Sequence, residues 1–336
     1  MKPLKYLLIF FLLIFSIQSF AQMKQYDVQW KKVDDLMNKK KLPKSALAEV
    51  KKIYALAKKE GQQAQVIKSL VYMAGLQDQT REDNEILSIR DFEKEIAVQK
   101  EPAASILRSL LAGQYWNYLQ QNRYRFYDRT NTAEFKKEDI STWTLDDLHE
   151  KISGLYLASI SNEKLLQQTK LDPYNAIIIK GNLRHLRPTL FDLLAHRALD
   201  YFKNDERDIS RPSYAFEIRQ AEAFAPANQF AAFDFVTRDS SSLQHKALQV
   251  YQQLIAFHLN DARPDALVDA DIARIEFVYQ NAVNENKDSL YKQALENIIQ
   301  KYPGNAIAKK ANYLLAFWYQ QKANDYEPLK DTTHRY

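Results

Sequence analysis

The chain has 336 residues and no cysteine, so disulfides, thiolate metal sites and cysteine nucleophiles are excluded. A composition that is 46% hydrophobic and 26% charged is that of a globular protein, long enough for one elongated or two compact domains. Of the formal charge of +5, Lys2 and Lys5 sit at the extreme N-terminus; the remaining positive excess is interspersed with acids, unlike the unbroken basic clusters of a nucleic-acid binder.

Those two lysines open a leader, 1–21. Tyr6 to Ile17 is a run of twelve residues with only Ser16 polar, and Ser19, Phe20 and Ala21 follow. A small residue at minus three and Ala21 at minus one predict cleavage after Ala21, leaving Gln22 as the new N-terminus of a protein exported to the periplasm, the wider cell envelope or the medium. The alternative, an uncleaved anchor, meets an apolar run shorter than the ~18 to 20 residues a bilayer requires. A lipoprotein linkage needs a cysteine that the chain lacks. No later segment is apolar over membrane length, so no span is expected after cleavage.

A helical region is predicted over 22–203. After a polar lead containing Trp30, the spacing of Leu47, Val50, Ile53, Tyr54 and Ala57 predicts a helix that starts near Pro43 and is stopped by Gly61. Ala64, Ile67, Leu70, Val71 and Ala74 predict a second, ending at Gly75, and so short a turn makes an αα-hairpin. Residues 77–85 read as a loop and Ile86 to Val98 as a weaker helix. The organising helix follows Pro102, with Ile106, Leu107, Leu110, Leu111, Gln114, Tyr115, Tyr118 and Leu119 on one stripe. It runs into Asn122 to Arg129, where arginines alternate with aromatic rings. That run reads as guanidinium groups stacked on rings and paired with acids, with a ligand or nucleic-acid surface as the alternative.

A capped helix start is predicted around Thr142 to Asp147, carried on by Leu148, Ile152, Leu155 and Tyr156; Pro188 opens another through Leu190, Leu194 and Ala198 to Phe202. From 204 to 242 the periodicity is lost, yet Phe216, Phe224, Phe230, Phe233 and Phe235 are too many aromatics for a free linker. An ordered irregular crossing is expected there, with a short strand at Phe233 to Val236. Four helices then fill 243–325: one capped by Ser240 to Ser242, one after Pro264, one from Leu290 to Ile299, and one from Ala308 to Trp318 behind a turn at Tyr302 to Asn305. Phe277, Val278, Tyr279 and Gln280 recur as Phe317, Trp318, Tyr319 and Gln320, an offset of 40 residues. The expected fold is all-α: stacked helical hairpins in a tetratricopeptide-like right-handed superhelix or solenoid. The polar tail 326–336 ends the chain with no capping helix behind it, which reads as a truncated frame, a fragment, or a protein reduced to its helical arm.

No catalytic site is predicted. Six glycines, at 61, 75, 113, 154, 181 and 304, stand too far apart for a phosphate loop or a dinucleotide fingerprint, and no serine has the flanking glycines of a nucleophile elbow. His185 and His196 are eleven apart with Pro188 between them, which reads as two structural histidines and not a zinc pair. Asp146, Asp147, His149 and Glu150 could suggest acid–base work, but at a helix start they match the dipole. Trp30, Trp116, Trp143 and Trp318 could mark a ligand groove, with core packing the ordinary alternative. No metal or other cofactor is expected.

Several strings resemble the N-terminal helical region of bacterial α2-macroglobulin-like proteins of the cell envelope: LPKSALAEVKKIYALAKKEGQQAQVIKSL at 42–70, ILRSLLAGQYWNYLQQNR at 106–123, RTNTAEFKKEDISTWTLDDL at 129–148, RPTLFDLLAHRALDYF at 187–202, and DYEPLKDTTHRY at the end. In that family the helical part precedes macroglobulin β-sandwich domains, a bait segment and often a thioester loop, which together trap proteases. None of that equipment is in this sequence, so no functional residue of the family can be carried over. The resemblance implies a non-enzymatic module whose partner is a protein, either macroglobulin-type domains or another envelope protein. Two alternatives stay open: a tetratricopeptide-like adaptor with a groove lined by the second helix of each pair, and an envelope hydrolase or glycan-binding protein using Trp116, Arg123, Arg125 and the acids at 138–150.

Overall fold

The structure is a computed structural model that describes residues 25–78, 81–126, 139–204 and 213–326. The leader with its cleavage point at Ala21 and Gln22, the tail from residue 327, and the arginine-bearing run beyond Phe126 lie outside the described residues. The described chain is all-helical and no residue in it belongs to a β-strand; Lys170 and Thr189 form an isolated antiparallel bridge. Phe233 to Val236 belongs to no strand, so the strand expected there is absent. None of the described helices is long and apolar enough to cross a membrane.

Two compact units divide the chain. The first takes the described residues up to Gln121 together with Asp172–Lys180. It opens with a helix the sequence reading missed, α1, over 25–34, which relaxes into a π-turn at Asp35–Lys39. Tyr26, Trp30, Val33 and Leu36 recur at helical spacing and are buried against Ala46, Val50, Ile53 and Ala57 of α2 (Pro43–Glu60) and Val66 and Leu76 of α3 (Gln63–Gln77). Charged residues between them hide this stripe from a composition-based reading. Gly61 takes φ +67, the left-handed region, and Gln62 N–H bonds back to Ala57 O, which ends α2 as predicted. Gly75, by contrast, sits inside α3 and does not stop it. Next come α4 (Asn84–Val98) and α5 (Ala103–Asn122), whose last residue already belongs to the second unit. Consecutive residues 103–107 of α5 are all buried, so this helix is enclosed around its first turns and not along a single stripe.

The second unit takes the described residues of Asn122–Leu171 and those from Gly181 onward. It contains α6 (Leu145–Ile160), α7 (Glu163–Gln168), α8 (Leu190–Phe202), α9 (Ala227–Ala232), α10 (Leu243–His258), α11 (Asp265–Asn281), α12 (Lys287–Lys301) and α13 (Lys309–Asn324). Both α6 and α8 begin with a capping box: Thr144 and Thr189 accept from the backbone N–H of Asp147 and Asp192, whose carboxylates accept from the threonine N–H. Ser242 caps α10 by accepting from His245 N–H at 3.1 Å. Helices α10 and α11 pack as a hairpin, α12 and α13 as another, and α11 packs on α12. Of the irregular crossing expected over 204–242, the described residues 213–242 pack without regular periodicity, with Phe216, Phe224, Phe230 and Phe235 buried, and 205–212 lie outside the described residues. It includes the short helix α9 and a 3-10 turn at Ala221–Phe224.

Candidate functional site

The described residues that the sequence nominates for chemistry take separate places in the fold. Trp30 is buried, with Nε1 donating to Gln65 at 2.7 Å; Trp143 and Trp318 are buried as well, and Trp116 is half-buried on α5. Arg123 and Arg125 lie in a 3-10 turn whose alternation sends Tyr124 outward and Phe126 inward. The acidic cluster of α6 splits: Asp147 caps the helix, Asp146 and Glu150 face solvent, and His149 is buried with Nδ1 at 2.7 Å from Tyr201 Oη on α8. His185 is exposed in the turn Arg184–Leu186, while His196 on α8 donates from Nδ1 to Asp192 O at 2.8 Å. Among the described residues no three His, Cys, Asp or Glu side chains are grouped to hold a metal.

The tightest convergence of ionisable groups ties helices together. Asp192 Oδ2 accepts from Thr189 N–H at 2.9 Å and from its hydroxyl at 2.7 Å, while Oδ1 accepts from His258 Nε2 at 2.6 Å. The other His258 nitrogen lies 2.7 Å from Asp261. Burial alone pushes the His258 pKa down, but hydrogen bonds to Asp192 and Asp261 outweigh it and raise it above the ordinary value. His196 goes the other way. Burial lowers it to about 4, helped by Arg187, so this ring is neutral. Asp192 is enclosed by protein on both oxygens, while Asp261 is partly exposed.

The α12–α13 hairpin joins a three-partner carboxylate to an exposed aromatic pair. Asp288 near the start of α12 gathers three partners: Tyr279 Oη at 2.6 Å from α11, and Trp318 Nε1 at 3.4 Å and Lys322 Nζ at 2.6 Å from α13. That contact fixes which way α13 is rotated. Trp318 turns inward, and Tyr313 and Phe317, one turn apart with rings stacked at 6.4 Å, turn outward. Tyr319 is exposed too. On the other side of this hairpin a groove of about 320 Å³ runs between the crossing segment and α12, lined by Phe224, Pro226, Gln229, Leu290, Gln293 and Asn297. It is lined by the first helix of its pair, whereas a tetratricopeptide-like adaptor was expected to use the second. Gln293, Asn297 and Tyr313 were not singled out by the sequence, although their i, i+4 relations on amphipathic helices are visible there.

No family model matches the chain, and no curated protein or solved structure does.

Proposed function

We propose that this protein is an exported, non-enzymatic helical-repeat module that works by holding another protein, with its hairpins stacked in a tetratricopeptide-like superhelix. The observation that carries this reading is a difference between two equivalent residues. Phe277 on α11 is 3% exposed, whereas Phe317, 40 residues on in α13, is 46% exposed. Helical hairpins bury their faces on their neighbours, so the aromatic pair left open on α13 is a surface suited to being covered. The occupant this reading favours, from the resemblance to the arm of α2-macroglobulin-like proteins, is a macroglobulin-type domain. Export rests on the leader ending at Ala21. The reading is tested by hydrophobic-dye fluorescence on the mature chain. Dye binding that drops in the Tyr313→Ser/Phe317→Ser variant supports it; no dye binding by the wild type overturns it.

The adaptor reading draws support from the groove beside α12. Gln293 and Asn297 present two carboxamides one helical turn apart along an apolar wall, a suitable arrangement for the N–H and C=O groups of an extended peptide. A peptide-array screen in which Gln293→Ala/Asn297→Ala removes the hits would favour it.

A further inference from the structure

A cavity of about 410 Å³ opens in the first unit among α2, α3 and α4. Its polar floor is complete in itself. Glu95 on α4 is 4% exposed; Oε1 accepts from Gln99 Nε2 at 2.7 Å, and Oε2 accepts from Tyr54 Oη and from Lys58 Nζ at 3.1 Å. Lys58 also donates to Tyr54 Oη at 3.3 Å. Burial works against the charged carboxylate, but these hydrogen bonds outweigh it and hold Glu95 below its usual range. The floor therefore presents no free carboxylate for a cation to pair with.

The walls and the rim differ from the floor. Leu70, Met73 and Ala74 of α3 face Phe92 and Val98 of α4 across the opening, and Val98 stays largely exposed. At the rim Asp91 is already held by Arg81 at 2.8 Å. Lys51 and Lys94 have no ion pair among the described residues, so the uncompensated charge around this apolar space is positive. The volume lies in the range of small-molecule sites, ~300–1,000 Å³, and holds about a dozen heavy atoms at the roughly 30 Å³ each that a water occupies.

We propose that this cavity binds a single-chain amphiphile with an anionic head, a medium-chain fatty acid, its tail on the α3–α4 wall and its carboxylate at the lysine rim. With the floor satisfied, what remains is apolar wall and two ammonium groups without an ion pair, and such a ligand covers the first and pairs with the second. Free fatty acid and the acyl chain of a lysophospholipid share the tail chemistry and differ in the head. The probes therefore are dodecanoate, dodecylphosphocholine and dodecyltrimethylammonium, each below its micelle concentration, titrated calorimetrically into the full mature chain. Dodecanoate is expected to bind one-to-one and saturably, about tenfold or more weaker in Lys51→Glu/Lys94→Glu, a loss of about 1.4 kcal/mol or more. Ala74→Trp, which fills the wall, is expected to abolish uptake. The lysine variant changes exposed side chains and keeps the test decisive if the tryptophan variant fails to fold. No saturable uptake, equal binding of the zwitterionic or cationic chain, or an affinity unmoved by the lysine changes would each overturn the proposal. None of these outcomes bears on α13, so the protein-holding role stands or falls separately.

Discussion

His258 on α10 and Asp192 on α8 meet at 2.6 Å with both side chains buried, and the same carboxylate that receives the imidazole closes the capping box of α8. One residue therefore starts a helix and fastens it to its neighbour. Two histidines on this network titrate in opposite senses. His258, raised in the folded state, contributes stability that is complete below its unfolded value near 6.5 and is lost as pH rises through the raised value. His196, lowered to about 4, must stay neutral; stability falls as pH drops from about 6.5 towards 4, at roughly 1 kcal/mol per unit. Urea unfolding across pH should thus peak near pH 6.5. His258→Gln should flatten the alkaline limb, and His196→Gln the part of the acid limb above pH 5.

The double role of Asp192 predicts coupling. Thr189→Ala should cost about 1 kcal/mol as a lost cap, and Thr144→Ala a similar amount at α6. Combined with His258→Gln, Thr189→Ala should be non-additive by about 0.5 kcal/mol or more, because both changes act on one carboxylate, whereas Thr144→Ala should add simply. Denaturation midpoints of the single and double variants measure this.

Arg274 on α11 is fully buried. Its guanidinium donates to Asp271 and to the carbonyls of Ala223 and Ala225, and lies 4.5 Å from the Phe230 ring centroid. This single side chain clips the irregular crossing onto the hairpins. Arg274→Met should destabilise by about 3–5 kcal/mol, since it leaves Asp271 buried and unpaired. Arg274→Lys should rescue little, because one ammonium cannot reproduce the planar fork. Limited proteolysis should show new cleavage between 213 and 242 in both variants.

Asp288 holds the rotation of α13 through Tyr279, Trp318 and Lys322. With the carboxylate partly exposed, Asp288→Ala should cost only about 1–2 kcal/mol. Its clearer signature is a red-shifted Trp318 emission as the indole gains water, read in a background where Trp30, Trp116 and Trp143 are phenylalanine.

Periodicity made most of the helices legible. Stripes such as Leu47, Val50 and Ile53, the glycine at 61 and the proline before Asp265 place elements where the structure has them. Helix α1 was lost because lysines and aspartates surround Tyr26 and Trp30, and Gly75 misled because a glycine inside a well-packed helix carries only a propensity cost. The sites were far less legible. Tyr54 and Lys58 are one turn apart on α2, but their partner Glu95 is 37 residues beyond Lys58, and nothing local announces that they meet. Phe277 and Phe317 sit in matching motifs, and only the fold shows that one is covered and the other is not.

Sedimentation velocity of the mature chain beginning at Gln22, run beside Tyr313→Ser/Phe317→Ser, is the most direct test of the claim that the outer face of α13 is a docking surface. Concentration-dependent association in the wild type that disappears in the variant, with the helical circular dichroism of both unchanged, is the predicted result. Two proteins that sediment as identical monomers at every concentration, with no hydrophobic-dye binding by either, would contradict it.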